Sequence, residues 1–282
     1  MRDALAAALG EDVAELIPVA GGDLNDAYRA TLAGGARVFV KTARDAVAGA
    51  YAAEAAGLRW LAEPGALPVP AVLAVDERFL ALAWVDGGGR LDPAALGRGL
   101  AQVHRAGAPA PGALPPGVEG ALRLGPLALP NAPTASWPVF YAGQRLLPLA
   151  RMAADRGALD PAGVRAVEAV AGRIDQLAGP DEPIARLHGD LWSGNVHAGA
   201  DGRPWLIDPA AHGGHREVDL AMLQLFGPPG RAFFDAYDDA WPRAAGHEER
   251  LALWQLFPLL VHAVLFGGGY GASAARAARR YA

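Results

Sequence analysis

The chain has 282 residues, 52% hydrophobic and 20% charged, which is typical of a globular protein that buries a sizeable core. Its net charge of −5 gives no basic surface for nucleic acid, so we expect no nucleic-acid partner. The chain has no cysteine, which excludes disulfides and cysteine nucleophiles and is consistent with a cytoplasmic protein. Its most apolar stretch, 251–266, is interrupted by polar residues and a proline, and it predicts a buried helix rather than a membrane span.

The first third of the chain begins with helical spacing and then carries five strand patterns, at 17–20, 27–32, 36–41, 71–75 and 79–85. Gly34 and Gly35 predict a two-residue hairpin turn between the second and third strands, because glycine adopts positive φ without strain. A helix is predicted over 44–62 and ends before Pro64. This order predicts a small antiparallel sheet with one helix packed on it.

Three successive glycines at 87–89 follow the last strand pattern and predict a linker. Beyond them three helical patterns appear, at 93–105, 139–155 and 161–178. We therefore predict an α+β protein with two lobes, a sheet lobe over 1–86 and a mainly helical lobe over 87–282.

The stretch 107–138 holds eight prolines, too many for a helix or a central strand, and it predicts a long loop. Four side chains near its end are candidates for the wall of a substrate site: Asn131, Trp137, Tyr141 and Arg145. The alternative is a plain connector with one packed tryptophan.

The segment 186–219, RLHGDLWSGNVHAGADGRPWLIDPAAHGGHREVD, contains the residues that indicate chemistry. Asp190 and Asn195 lie on a loop that leads into a strand, an Asp-Gly hairpin signal follows, and Asp208 ends the next strand. Pairing of these two strands would bring Asn195 close to Asp208, and such oxygen ligands suit Mg²⁺. Protein kinases use the same spacing, with a catalytic aspartate, an asparagine five residues later and a metal-binding aspartate after the next strand. We therefore predict that the two-lobed α+β fold is protein-kinase-like.

A second group of polar residues in the sheet lobe supports a nucleotide site. Glu54 falls on the apolar stripe of the predicted helix, where a carboxylate needs a partner, and Lys41 at the end of the preceding strand can supply it. In kinases such a pair orients the lysine onto the nucleotide phosphates. Gly21, Gly22 and Asp23 form the candidate phosphate-covering turn, although they lack a complete glycine-rich motif.

The adenine is expected at the backbone just before the glycine linker, over 82–85, where Trp84 is the predicted cofactor-binding residue. Together with the lysine–glutamate pair, this predicts ATP and Mg²⁺ as cofactors. In the second half of the chain, Glu217 and Asp219 are expected to brace the catalytic loop by hydrogen bonds. His212 and His215 resemble a zinc pair only superficially, since no third ligand is evident.

Nearly the whole chain resembles the fructosamine kinases, also called ketosamine-3-kinases, in the stretches GGDLNDAYRA, VFVKT, EAAGLRWL, LAQVHR, HGDLWSGNV, IDPAAHGGHREVDLAMLQLFG and LFGGGY. The wider aminoglycoside phosphotransferase superfamily shares the H-G-D-x-x-x-x-N pattern but normally lacks Trp192 and the long second block. The resemblance implies that Asp190 is catalytic, that Asn195 and Asp208 hold magnesium, and that Lys41 serves ATP together with its glutamate partner.

The resemblance also implies an acceptor, the third-carbon hydroxyl of a ketoamine, which is a sugar attached to an amine by glycation. Phosphorylation there would lead to deglycation. Trp192 is expected to stack on the sugar and His262 to contact the substrate, although both could be core residues. Two alternatives stay open, a kinase for aminoglycosides or other small molecules, and a pseudokinase that binds ATP without turnover. We expect a monomer.

Overall fold

The structure is a computed structural model of the chain, and it describes residues 1–19, 26–43 and 47–282. Its first part contains two helices and five strands: α1 (Arg2–Leu9), β1 (Val13–Val19), β2 (Asp26–Leu32), β3 (Arg37–Thr42), α2 (Ala50–Ala62), β4 (Val72–Asp76) and β5 (Phe79–Ala83). The strands form one antiparallel sheet in the order β1-β2-β3-β5-β4.

The two helices cover opposite faces of this sheet because side chains alternate along each strand. Leu5 of α1 packs in one buried cluster with Phe79 and Ala81. Leu58 of α2 packs in another cluster with Leu80 and its neighbours. The helix that was predicted to pack on the sheet is therefore α2. Its packing against β5 determines the direction of its other side chains.

All five predicted strands are present, but several boundaries differ from the prediction. β1 begins at Val13 rather than at 17. Of the helix predicted over 44–62, residues 44–46 lie outside the described residues, and α2 begins at Ala50, directly after Gly49, which takes a left-handed conformation with a φ of 76°. The β2–β3 turn is also longer than predicted. Leu32 N–H donates to the Ala36 carbonyl at 2.8 Å, and within the turn only Gly35 has a positive φ.

The glycine linker packs tightly against a turn in the second part of the chain. Gly87 forms an isolated β-bridge with Gly199, and a Cβ on Gly89 would lie 2.1 Å from the Gly199 carbonyl oxygen. The Ala200 N–H donates to the carbonyl of Asp86 at 2.7 Å. A side chain at 89 would therefore push the linker away from this turn. The division of the chain at 86 stays a prediction.

The second part is mainly helical, with short strand pairs around the candidate site. Its elements are α3 (Pro93–Arg105), β6 (Leu122–Leu124), β7 (Leu127–Leu129), α4 (Trp137–Phe140), α5 (Leu147–Asp155), α6 (Pro161–Gly172), α7 (Ile174–Leu177), β8 (Ala185–Leu187), β9 (Val196–Ala198), β10 (Pro204–Leu206), β11 (His212–Gly214), α8 (Glu217–Leu225), α9 (Arg231–Ala240), α10 (His247–Phe266) and α11 (Tyr270–Ala278). The three strand pairs are β6–β7, β8–β11 and β9–β10. The predicted helix over 93–105 is confirmed at both ends.

The predictions for 107–178 need three corrections. The proline-rich loop contains the β6–β7 hairpin, which the sequence analysis missed. A π-helical turn, Tyr141–Leu146, joins α4 to α5, next to Pro148, whose ring nitrogen cannot donate a helical hydrogen bond. The helix predicted over 161–178 is interrupted at Arg173, directly after Gly172, a residue that weakens helices.

The largest core cluster surrounds α10, as the sequence predicted for its apolar stretch. By length and composition α10 could cross a membrane, with a hydropathy of 1.3, yet 67% of its apolar window is buried inside the molecule. Leu253, Trp254 and Leu260 are fully buried. Within the described ranges no other helix meets these criteria of length and composition.

Candidate active site

The loop after β8 is held by a buried aspartate at the start of α8. The backbone N–H groups of His188 and Gly189 donate to the two carboxylate oxygens of Asp219, at 2.7 and 3.0 Å. Gly189 has a φ of 82°, and a Cβ there would lie 2.1 Å from the Ala210 carbonyl oxygen. Only glycine fits this position, which explains the departure from the arginine of protein kinases. The sharp turn presents Asp190 next.

Asp219 is itself positioned by a histidine that the sequence analysis did not single out. His104 on α3 lies with Nε2 3.2 Å from Asp219 Oδ2 and Nδ1 2.8 Å from the Tyr237 hydroxyl, and it is fully buried. Burial alone would raise the pKa of Asp219, but its hydrogen bonds and the nearby histidines hold it below the ordinary value. The predicted bracing role of Asp219 is present in the structure. The signal for His104 was its place among the buried apolar residues of α3.

His188 links the catalytic loop to the strand that precedes Asp208. Its Nε2 lies 2.9 Å from the Ile207 carbonyl oxygen, which can only accept, so Nε2 carries the proton. Its Nδ1 then accepts a hydrogen bond from the Asp190 N–H at 3.3 Å. Burial lowers the pKa of His188, so the ring stays neutral. The His188 side chain therefore links the backbone at Asp190 to the backbone just before Asp208.

The β9–β10 hairpin brings Asn195 and the segment before Asp208 together, as the hairpin signal predicted. The Ile207 N–H donates to the Asn195 carbonyl at 3.1 Å. Asn195 Nδ2 donates to the Asp190 backbone carbonyl at 2.8 Å and to its carboxylate at 3.0 Å. The donor end of the amide is thus used on Asp190, and its Oδ1 is left as an acceptor.

The environment of Asp190 favours the protonated carboxyl. Burial is the main cause, and the negative charges of Asp208 and Asp219 act in the same direction, while the hydrogen bond from Asn195 opposes them. Together these raise the pKa of Asp190 to about 6. A carboxylate with this pKa is ionised at neutral pH and still accepts a proton readily.

Lys41 lies between two carboxylates, of which the sequence predicted one. Its Nζ is 2.9 Å from Glu54 Oε2 and 3.2 Å from Asp208 Oδ1. Burial alone would lower the pKa of Lys41, but the two carboxylates raise it above the ordinary value. Glu54 Oε1 is buried and has no hydrogen-bond partner in the described part of the chain. Lys41 therefore links α2, which carries Glu54, to Asp208, which follows β10.

Asp208 adopts a backbone conformation that is unusual for its residue type. Its φ is 53°, and it is the only non-glycine residue with positive φ among residues 1–19, 26–43 and 47–282. Such a conformation costs about 1 kcal/mol, and strain of this kind concentrates at functional sites. The next residues pack on α2, where a Cβ at Gly57 would lie 3.4 Å from Pro209 and 3.3 Å from Ala211.

An aromatic group borders the site on the side of Trp192. The Trp192 side chain is 40% exposed, and its ring centroid lies 6.5 Å from that of Phe226. Phe226 in turn stacks against His262, with centroids 4.7 Å apart. The reading of Trp192 as a core residue is excluded, since so much of its surface is open to solvent. Both residues predicted to contact the substrate therefore belong to one connected group of rings.

The hydrogen bond of His262 fixes its tautomer. Nδ1 lies 2.7 Å from the Pro258 carbonyl oxygen and must donate to it. Burial lowers the pKa of His262, so the ring is neutral at pH 7 and Nε2 is an acceptor. No hydrogen bond to this nitrogen is found within the ranges that the structure describes.

The structure says less about the other residues that were predicted to bind the nucleotide. Gly21, Gly22 and Asp23 lie outside the described residues. Trp84 follows β5. Its backbone N–H donates to the Arg37 carbonyl at 3.3 Å, and its indole N–H donates to the Asp86 carboxylate at 3.2 Å. Its contact with a nucleotide stays a prediction.

The predicted substrate wall at the end of the proline-rich loop is wrong. Trp137, Tyr141 and Arg145 are buried in the core, and Arg145 is only 1% exposed. Its guanidinium lies 4.5 Å from the Phe140 ring centroid and donates to Asn131 at 2.7 Å. Burial lowers the pKa of Arg145 to about 9. Three of the four predicted wall residues are thus core residues, and the fourth, Asn131, is half-buried and holds the Arg145 guanidinium.

The expectation that Glu217 braces the catalytic loop is also wrong. Its carboxylate forms two hydrogen bonds with Arg250, at 2.7 and 3.0 Å, and accepts one from Trp254, so it joins α8 to α10. Glu182, His215 and Glu217 approach each other closely enough to suggest a metal site. However, Arg216 pairs with Glu182 through two hydrogen bonds, so each carboxylate is already neutralised by an arginine.

The chain is similar over nearly its whole length to known proteins. The family model described as fructosamine kinase matches residues 1–281. A Thermus thermophilus protein, provisionally named a ketoamine kinase, is 38% identical over 259 residues, which cover 90% of this chain and 89% of the relative. The chloroplastic protein-ribulosamine 3-kinase of Arabidopsis thaliana is 34% identical over 245 residues, which cover 84% of this chain and 73% of the relative.

Solved structures confirm the predicted protein-kinase-like α+β fold. A Thermobifida fusca protein, provisionally assigned as a fructosamine-3-kinase, has a TM-score of 0.89 at 45% identity, and the match covers 100% of this chain and 98% of that one. A macrolide 2'-phosphotransferase has a TM-score of 0.62 at 19% identity, over 99% of this chain and 95% of its own, and shares the fold alone. The chain therefore belongs to the fructosamine kinase family, a family of ATP-dependent kinases.

Proposed function

We propose that this protein transfers the γ-phosphoryl group of ATP to a hydroxyl of a ketoamine, at the third carbon of the sugar. The observation that carries the proposal is the connected set of Lys41, Asp190, Asn195 and Asp208, each held by hydrogen bonds or ion pairs in the described structure. Membership of the fructosamine kinase family supports the acceptor class. The named activity of the Arabidopsis relative, a ribulosamine 3-kinase, is of the same kind.

In this proposal Asp190 is the catalytic residue that accepts the proton of the attacking hydroxyl. Its raised pKa, about 6, leaves it ionised at pH 7 but matches it to proton transfer near neutrality. Asn195 holds its carboxylate through Nδ2. Asp219 and His104 act as positioning residues, because they hold the backbone of the loop and not the substrate.

We assign the metal to Asn195 and Asp208, and the nucleotide phosphates to Lys41. The donor set fits Mg²⁺, since Asn195 Oδ1 is free to accept and Asp208 offers a carboxylate at the end of a paired hairpin. When bound, Mg²⁺ would neutralise charge on the phosphates. Lys41, oriented by Glu54, would pair with phosphate oxygens in place of its present contact with Asp208.

The proposed nucleotide lobe is 1–86 and the proposed catalytic lobe is 87–282. Gly21, Gly22 and Asp23 would cover the phosphates, and the backbone around Trp84 would meet the adenine, since it lies at the end of β5 just before the glycine linker. A nucleotide bound between the two proposed lobes would have its γ-phosphate near Asp190.

The acceptor is proposed to lie on Trp192, with His262 as a further substrate contact. An aminoglycoside carries several ammonium groups and would require several carboxylates around it. The segments 191–200, 220–234 and 251–281 contain no Asp or Glu, which favours a substrate with a single amine. Phosphorylation of such an adduct would serve deglycation, and we propose a cytoplasmic monomer as the working form.

The test is turnover with Mg-ATP of ribulosamine, fructosamine and an aminoglycoside, measured side by side. We expect phosphorylation of a ketoamine and little activity on the aminoglycoside, and we expect Asp190→Asn to lower turnover by about 10²–10⁴-fold under the same conditions. If the wild-type protein phosphorylates the aminoglycoside faster than either ketoamine, the proposed substrate class is wrong. If it binds Mg-ATP but phosphorylates none of them, a pseudokinase becomes the better interpretation.

A further inference from the structure

Beyond Trp192 lies a group of four rings, which we call the aromatic subsite: Phe226, His262, Phe266 and Tyr270. His262 is its centre, with ring centroids 4.7 Å from Phe226, 5.5 Å from Phe266 and 5.0 Å from Tyr270. Phe226 and Tyr270 close the group at 6.5 Å. The rings come from the end of α8, the last turn and a half of α10, and the start of α11.

The aromatic subsite is not part of the buried core. Phe266 is 47% exposed, and the other three rings are only half-buried. The chain reverses directly after Phe266 through Gly267 and Gly268, which have φ values of 66° and 60°. This reversal brings Tyr270 back against His262. Several aromatic faces held side by side at the surface are typical of a binding site rather than of a core.

The subsite is joined to the proposed catalytic loop by two contacts. Trp192 lies edge-on to Phe226, and the Ser193 hydroxyl donates to the Phe226 carbonyl at 3.0 Å. Both contacting residues come within three positions of Asp190 in the chain. If the reacting hydroxyl lies at Asp190 and the sugar on Trp192, the part of the substrate that continues beyond the sugar meets the four rings.

The chemistry of the subsite suits an amine without further charged groups. A protonated secondary amine offers N–H donors and a positive charge, which aromatic faces attract. His262 is neutral and presents Nε2 as an acceptor, because its Nδ1 donates to Pro258. No ring of the subsite carries a positive charge, so a carboxylate placed there would lose its water without a partner.

We propose that the aromatic subsite binds the amine side of the ketoamine, with the nitrogen near His262 Nε2 and an uncharged apolar substituent over Phe226, Phe266 and Tyr270. This inference rests on the proposed function and extends it from the sugar to the amine. It assigns the selection of the amine to residues outside the catalytic loop.

The first test uses three synthetic 1-amino-1-deoxyketoses that share one sugar and differ only in the nitrogen substituent: methyl, benzyl or carboxymethyl. We expect the KM of the benzyl compound to be about tenfold lower than that of the methyl compound, the usual effect of burying part of a phenyl ring. The carboxymethyl compound should bind no better than the methyl compound. The kcat values should be similar, because the sugar and its reacting hydroxyl are the same.

The second test removes the rings. Phe266→Ala and Tyr270→Ala should each reduce the benzyl-to-methyl advantage to about twofold or less while the KM for ATP stays constant. Leu73→Ala is the matched control, since Leu73 is an equally exposed apolar residue, 45% exposed, on β4 in the sheet. It should keep the full advantage.

Two outcomes would overturn the inference. One is an equal KM for the benzyl and methyl compounds in the wild-type protein, and the other is a benzyl advantage that survives in both ring variants. Turnover of ketoamines without this discrimination refutes the aromatic subsite alone. A complete lack of ketoamine turnover, with Mg-ATP bound, refutes the proposed function and the inference with it.

Discussion

Asp190→Asn should make the protein more stable at pH 8 while it lowers turnover by about 10²–10⁴-fold, the usual contribution of a positioned base. The reason is that Asp190 has an ordinary pKa of 3.8, and burial raises it to about 6 in the folded protein. The folded protein therefore binds the proton more tightly than the unfolded chain, and ionisation of Asp190 opposes folding. Asparagine has nearly the same shape and can still accept the hydrogen bond from Asn195 Nδ2.

The magnitude follows from the two pKa values. A rise from 3.8 to about 6 corresponds to a penalty of up to about 3 kcal/mol when the group is fully ionised. The penalty is complete above pH 7, decreases as the pH falls through 6, and disappears below 3.8, where the carboxyl is protonated in both states. The variant should thus unfold roughly 5–10 °C higher than the wild-type protein at pH 8. The two should converge near pH 4.

Urea and thermal unfolding of both proteins between pH 4 and 8, without nucleotide and metal, measure this difference. Asp201→Asn is the matched control, because Asp201 is exposed and its hydrogen bonds with Arg203 lower its pKa. Its replacement should give no gain in stability at any pH. The reasoning fails if Asp190→Asn is no more stable than the wild type at pH 8, or if a gain persists unchanged at pH 4.

Four further variants test the other assignments. Asp208→Ala should abolish magnesium-dependent ATP binding in calorimetry. Asn195→Ala should weaken this binding less, because a neutral amide holds a divalent cation less strongly. Unchanged affinity in Asp208→Ala would remove Asp208 from the metal site. Trp192→Ala should raise the KM for ketoamines by the equivalent of about 1–3 kcal/mol and leave the KM for ATP nearly constant; an unchanged ketoamine KM would exclude stacking on this ring. Arg250→Met should cost about 3–5 kcal/mol in the free energy of unfolding by urea, since it leaves the Glu217 carboxylate buried without its partner, and a loss below about 1 kcal/mol would contradict that account.

The sequence predicted the parts of the fold that local patterns determine. The five sheet strands are short runs rich in apolar residues, and the helix over 93–105 has an Asp cap before a proline, so both were found. The β6–β7 hairpin was missed because prolines surround its two three-residue strands and hide the period. The π-helical turn at Tyr141–Leu146 depends on how Arg145 packs against Phe140, which no local pattern indicates.

The residues of the candidate site also divide into those that a sequence pattern indicates and those that only long-range packing brings together. Lys41, Glu54 and Asp190 were singled out because their spacing matches the arrangement in kinases, and the structure confirms the predicted contact between Lys41 and Glu54. His104 was not found as a functional residue, because its contact with Asp219 joins positions 115 apart in the chain. Long-range contacts of this kind follow from how α3 and α8 pack, so only the structure reveals them.

The charges of the site are unbalanced without a bound cation. Glu54 and Asp208 both contact Lys41, and the charges of Asp208 and Lys41 both act on the pKa of Asp190, so three carboxylates lie near one positive side chain. When all three are ionised, one positive and three negative charges leave a net charge of −2, equal and opposite to that of one Mg²⁺. Burial is the largest cause of the raised pKa values of Asp190 and Glu54, and the negative charge of Asp208 acts in the same direction on both. Asn195 and Asp208 would hold a divalent cation, whose charge would offset the part of the penalty that comes from Asp208, so the stability gain of Asp190→Asn should be largest in the metal-free protein.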